Sequence, residues 1–120
     1  MLNIGAIVWG VRDLHAAIQF WSEALDYRLK YEPDEDWAIL IPKKGTGIQL
    51  SISVVTSDSQ KHQRHHLDLF TDSQETEVER LLQIGASKVD WEYEIDADYI
   101  VLADPDGNKF CVVQDDNQNP

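Results

Sequence analysis

The sequence is short of positive charge, of cysteine and of long apolar runs. Ten Lys and Arg stand against 22 Asp and Glu, a formal net charge of −12. A phosphate backbone is bound through a positive patch that displaces its counterions, so this balance excludes nucleic acid as a partner. The single cysteine, Cys111, excludes an internal disulfide. No apolar run approaches the ~20 residues that a membrane-spanning helix needs, so no membrane partner is expected. The first residues lead directly into a strand-like run, without the basic segment and apolar core of a secretory signal. A cytoplasmic address is the resulting expectation.

What is plentiful is apolar and aromatic surface. Hydrophobic residues make up 42% of the chain, and four Trp, four Tyr and three Phe are spread along it. That composition belongs to a folded globular protein. With 120 residues there is enough chain for one core and too little for two large ones, so a single domain over 1–120 is expected. Only the segment from Asp115 to Pro120 reads as unstructured.

Ile4 to Val11 reads as a buried strand, with Ile7, Trp9 and Val11 on one face and the small set Ala6, Val8 and Gly10 on the other. Asp13 is placed to cap a helix whose stripe is Leu14, Ala17, Ile18, Trp21 and Leu25. Shorter strands follow at Arg28 to Glu32, Trp37 to Ile41 and Ile48 to Val54. The last alternates apolar and polar residues, predicting one oily and one wet face. Polar residues from Thr56 to Arg64 read as a loop.

The order then restarts. His65 to Phe70 reads as a strand, Asp72 with Glu75 as a capping box, Val78, Leu81 and Leu82 as a helix stripe, and Gly85 as its left-handed end. Ser87 to Trp91, Tyr99 to Ala103 and Lys109 to Gln114 give three more strands. Asp104-Pro105-Asp106-Gly107 supplies a tight turn between the last two. Phe110 and Val112 then share one face, Cys111 and Val113 the other. Strand, helix and three strands thus occur twice, with a period of about sixty residues that sets Ala6 on His66. The predicted fold is α+β: two βαβββ modules, about 1–56 and about 64–115, forming curled mixed sheets around a groove.

Val11-Arg12-Asp13-Leu14, Phe20-Trp21, Ala24-Leu25, His65-His66-Leu67-Asp68-Leu69, Leu82-Gln83-Ile84-Gly85-Ala86 and Asp104 to Cys111 together resemble the vicinal oxygen chelate superfamily. It comprises the glyoxalase, bleomycin-resistance and extradiol dioxygenase proteins, and the likeness runs from Ile4 to Gln114. The resemblance implies ligand binding in a groove between two cupped modules, paired within one chain or across a dimer. In the metal enzymes it implies one ligand on the first and fourth strand of each module, here Ala6, Gln49, His66 and Cys111. A methyl group, an amide, an imidazole and a thiol are a poor set, with His66 the one direct match. The expectation is therefore a small-molecule-binding protein without a resident metal or other cofactor. Within the same resemblance, the alternatives are a metal-dependent lyase or dioxygenase and a sequestering protein of the bleomycin-resistance kind.

Several residues carry possible chemistry. His66 and Asp68, two apart on a strand, point to one face, and a carboxylate that orients an imidazole is the raw material of a general base. They are the catalytic candidates. Asp68 is also a conceivable third metal ligand beside His66. His62, His65 and His66 form a sequence cluster, but His65 and His66 must face opposite ways along a strand. Cys111 would be a nucleophile if a neighbouring cation lowered its pKa. Acidic and aromatic residues alternate at Asp34-Glu35-Asp36-Trp37 and Trp91-Glu92-Tyr93-Glu94, a pattern suited to a cationic or flat aromatic ligand. The expected ligand-binding set is Trp37, Gln49, Ser51, His66, Asp68 and Cys111. A homodimer is expected because a second copy can cover exposed sheet edges and the open groove.

Overall fold

The structure, a computed structural model, describes residues 1–55 and 64–116. The loop expected from Thr56, and His62 with it, lies outside the described residues apart from Arg64. The elements run β1 (Asn3–Val11), α1 (Leu14–Leu25), β2 (Tyr27–Leu29), β3 (Trp37–Pro42) and β4 (Gln49–Val54). They continue β5 (His66–Thr71), α2 (Gln74–Gln83), β6 (Ser87–Lys88), β7 (Tyr99–Ala103) and β8 (Lys109–Gln114). This is the twice-repeated βαβββ order of an α+β chain. Two compact units are present: Ala6–His65, and a second that joins Met1–Gly5 to the chain from His66 onward.

In the unit Ala6–His65 the strand order is β2-β3-β4-β1, with β1 parallel to β4 and the other pairs antiparallel. Asp13 caps α1 by accepting from the Ala16 amide at 3.0 Å, and Asp26 ends the helix in the left-handed conformation at φ 58°. Leu14 is buried with Ala38, Leu40, Leu50 and Ile52, and Ile7, Trp9, Val11, Ala17, Ile18 and Trp21 pack around them. The helix stripe therefore meets the large-residue face of β1, while Leu25 at its end stays exposed. Full burial of a Leu or Ile side chain contributes about 1.5–3 kcal/mol, which makes this cluster the main support of the unit.

The opposite face corrects one expectation. Ser51 is polar yet only 1% exposed. Alternation reports which side a residue points to, and β4 is an interior strand: Ser51 is flanked in register by Val8 of β1 and Ile39 of β3. Its hydroxyl accepts from the Gln49 amide at 3.3 Å, so the buried oxygen is satisfied.

The second unit repeats the topology as β5-β8-β7-β6, with β5 parallel to β8. The hairpin forms as predicted. Asp104 Oδ1 accepts from the amides of Asp106 and Asn108, both at 2.9 Å, and Gly107 takes φ 91°. Gly85 at φ 124° ends α2, with the Ala86 amide bonded to the Leu81 carbonyl and the Gly85 amide to that of Leu82. That is the Schellman arrangement.

Three local expectations fail. Ser73, not Asp72, is the N-cap of α2 and makes no side-chain cap bond; the Gln74 amide is met instead by Gln114 Oε1 of β8 at 2.9 Å. A partner forty residues away displaces the local capping box. The strand expected over Ser87 to Trp91 stops at Lys88, because the Tyr93 hydroxyl accepts the Val101 amide at 2.9 Å at the edge that a longer strand would have paired. The strand from Arg28 is likewise only three residues long, Tyr27–Leu29. No helix among the described residues is long and apolar enough to cross a membrane.

Candidate functional site

Each unit collects expected site residues on one sheet face. In register, Gly10, Ser53 and Trp37 stand side by side, then Val8, Ser51 and Ile39, then Ala6 and Gln49. Side chains of such neighbours share a face, so Trp37, Gln49 and Ser51 lie together on the face opposite α1. Ser51 is closed off by burial, whereas Trp37 and Gln49 are half-buried.

In the second unit Asp68 is the in-register partner of Cys111. His66, Asp68 and Cys111 therefore project from one face of two adjacent strands. His66 Nε2 lies 3.3 Å from Asp68 Oδ1, and donor atoms of all three residues fall within 4.8 Å of one another. All three are half-buried. The repeat offset is 62 residues at these positions, since Ala6 pairs with Gln49 as Asp68 pairs with Cys111. The sixty-residue slide that matched Ala6 to His66 is thus shifted by two at the sheet, bringing Asp68 beside Cys111.

That neighbour decides the chemistry of the thiol. Burial, then the charge of Asp68 and the hydrogen bond to it, then the charge of Asp98, push the Cys111 pKa up to about 12. A cation lowering the pKa was the condition for a nucleophilic Cys111, and a carboxylate stands there instead. Cys111 is a neutral thiol that donates towards Asp68. Asp68 in turn receives two neighbours, the imidazole and the thiol, on a carboxylate that remains partly open to solvent.

His65 is separate from this group. It precedes β5, stacks on Trp9 with ring centroids 3.8 Å apart and 8° between planes, and its Nδ1 accepts the Gly10 amide at 3.1 Å. Trp9 also meets Trp21 edge-on at 6.0 Å. Burial and the Arg64 charge lower the His65 pKa, a hydrogen bond with the Arg64 backbone opposing them. The expected assignment of His65 to the strand is corrected, and no sequence signal marked its contact with Trp9. Of the acidic-aromatic segments, Asp34 to Trp37 forms a turn closed by the Asp34 amide on the Trp37 carbonyl. Tyr93 is tied to β7 and lies 5.6 Å from the Tyr99 ring, while Trp91 stays largely exposed.

The metal pattern implied for the superfamily can be tested on these residues. Ala6 is fully buried and offers a methyl group. Gln49 offers only a neutral amide oxygen, and Cys111 is held as a thiol. This donor set does not fit a centre built from the first and fourth strand of each module.

A scan of family profiles matches residues 6–113 to the glyoxalase-like domain. No curated protein matches. Among solved structures, the fold is similar to a glyoxalase/bleomycin resistance protein/dioxygenase superfamily member from Vibrio splendidus, with TM-score 0.65 and 15% identity over 96% of this chain and 100% of that one. It is similar to a hypothetical protein from Bacillus halodurans, with TM-score 0.69 and 14% identity over 99% and 98% of the two chains. A methylmalonyl-CoA epimerase from Mycobacterium tuberculosis gives TM-score 0.65 and 18% identity over 92% and 86%. Such identities concern the fold alone. The profile match, however, spans both βαβββ repeats nearly end to end, and the chain belongs to the glyoxalase-like domain family.

Proposed function

We propose that the protein binds a small molecule through the Asp68 carboxylate, without the four-strand metal of its enzyme relatives. The observation that carries this reading is the convergence of His66 and Cys111 on Asp68 on one sheet face. A carboxylate held by neighbouring side chains is preorganised to meet a ligand's positive charge or hydrogen-bond donor, and the net charge of −12 favours cationic molecules at long range. Trp37 and Gln49 are the further ligand contacts we assign in the first module. If the ligand is turned over, His66 and Asp68 are the groups placed to move its proton. We place this activity in the cytoplasm, in a homodimer.

The test is a thermal-shift screen of cationic, aromatic and neutral small molecules on the wild type and Asp68→Asn. The variant keeps the shape and removes the charge. Compounds that stabilise the wild type should lose their effect in the variant, while its own stability changes by less than about 2 kcal/mol. A larger loss would make Asp68 part of a structural network, and hits that persist in the variant would remove it from the site. Binding without turnover would favour sequestration of the bleomycin-resistance kind over a lyase or dioxygenase.

A further inference from the structure

We infer that the molecule met by Asp68 carries an N-methylated ammonium group, seated over Val113 between the rings of Phe70 and Tyr99. This names a ligand class for the site proposed above and rests on that reading. It adds Phe70 and Tyr99 to the site as residues that set specificity.

Register places the two rings. Val113 is the in-register partner of Phe70 on β5 and of Tyr99 on β7, so the three side chains form one row, on the face that carries Asp68 and Cys111. The row of Asp68 and Cys111 lies directly beside it. Strands stand about 4.8 Å apart, so an ammonium centred over Val113 lies roughly 5 Å along the sheet from each ring-bearing strand, within the ~6 Å reach of a cation–π contact on both sides. Val113 is half-buried and shorter than either ring, which leaves a shallow seat between them.

Both rings are held before a ligand arrives. A Cβ built on Gly5 would collide with Cγ and both Cδ atoms of Phe70, so this ring lies against bare backbone that glycine alone leaves open. Tyr99 is backed by Tyr93, with 5.6 Å between ring centroids, and Tyr93 is itself fixed by accepting the Val101 amide at 2.9 Å. Phe70 and Tyr99 are each half-buried, so part of each ring remains open to a ligand. Rings held in place lose little freedom on binding.

Charge is graded along the same face. Asp68 stands one row from the seat, and the charge of Asp98 is felt at Cys111 together with that of Asp68. Lys109 stands two residues before Cys111, as His66 stands two before Asp68, which puts this cation beyond Asp68 at the end away from the rings. A ligand's positive charge is therefore drawn to the ring end. The rings then select the methylated form. A primary ammonium is strongly hydrated, and ring faces do not replace its hydrogen bonds to water, whereas methyl groups spread the charge and present apolar surface for the rings to cover.

The experiment is isothermal titration calorimetry on the full chain at low salt with three probes: choline, its neutral carbon isostere 3,3-dimethylbutan-1-ol, and ethanolamine. Choline should bind about tenfold more tightly than either, the isostere lacking the charge and ethanolamine the methyl groups. Phe70→Leu and Tyr99→Leu should each cut the preference for choline over the isostere by about threefold or more. Equal affinity for choline and the isostere, or a preference unchanged in both ring variants, would overturn the inference. If a ring variant fails to fold by circular dichroism, the three-probe comparison on the wild type still decides. Failure to bind choline overturns it in either of two ways: where other compounds bind and need Asp68, the small-molecule reading stands without it, and where none do, both fall. Choline binding unchanged in Asp68→Asn removes Asp68 from the site and sinks both.

Discussion

Gly5 lies in β1 within an extended stretch, and a methyl group added there would meet the Phe70 ring. The Cβ would sit 2.3 Å from both Cγ and Cδ2 and 2.6 Å from Cδ1. Contacts below about 3 Å do not persist, and Cγ is the root of the ring, so a flexible tip cannot absorb the overlap. Phe70 must rotate about χ1 as a whole. An off-rotamer side chain costs about 0.5–1.5 kcal/mol, and losing part of the 1.5–3 kcal/mol of a fully buried Phe adds roughly another 1 kcal/mol, since Phe70 is only half-buried. Alanine offsets about 0.4–1 kcal/mol by restricting the unfolded chain. Gly5→Ala should therefore destabilise by about 0.5–2 kcal/mol, read as a lower urea midpoint at unchanged slope. A double-mutant cycle sharpens the test. In the Phe70→Ala background the clash is gone, and Gly5→Ala should become neutral or stabilising. Additive effects of the two substitutions would refute the reasoning. Phe70 shares a strand face with Asp68 two residues away, so the single variant should also weaken ligand binding by the thermal-shift assay.

Four other outcomes are expected. With its pKa near 12, Cys111 should resist alkylation at pH 8, and Asp68→Asn should accelerate the reaction by removing a charge and a hydrogen bond that favour the thiol. Because the folded pKa lies above the ordinary value of 9.0, the associated stability is complete below pH 9 and is lost as pH rises towards 12. Urea midpoints across that range should fall less steeply in Cys111→Ser. His65 has the opposite sign: its pKa is lowered from 6.5, so its contribution is complete above pH 6.5 and is lost as pH falls through the folded value. A His65→Gln variant should show a weaker acid-side decline, and an unchanged decline would show that the stack on Trp9 is not the responsive element. Light scattering at tens of micromolar should report a dimer; monomer alone would remove that part of the proposal.

Where one stretch of chain holds both partners of an interaction, the amino-acid sequence determined the outcome. Asp13 caps α1 because its carboxylate reaches an amide three residues on, and Asp104 organises the β7–β8 turn through amides two and four residues on. Gly85 ends α2 for the same local reason, and periodicity separated helices from strands well enough to expose the repeated βαβββ order. Family motifs lie in these local elements, which is why membership was legible. Tertiary structure decided whatever depended on a distant partner. Gln114 took over the start of α2 from the Asp72 and Glu75 box, the Tyr93 hydroxyl replaced a longer β6, and neighbouring strands buried Ser51 on a face that alternation marked as wet. The site followed the same division. That His66 and Asp68 share a face is a property of two residues on one strand. That Cys111 stands against Asp68, and is thereby held as a thiol instead of activated as a nucleophile, depends on the register of parallel strands joined through a helix and two more strands. Sequence spacing does not specify that register, because packing of the whole module selects it.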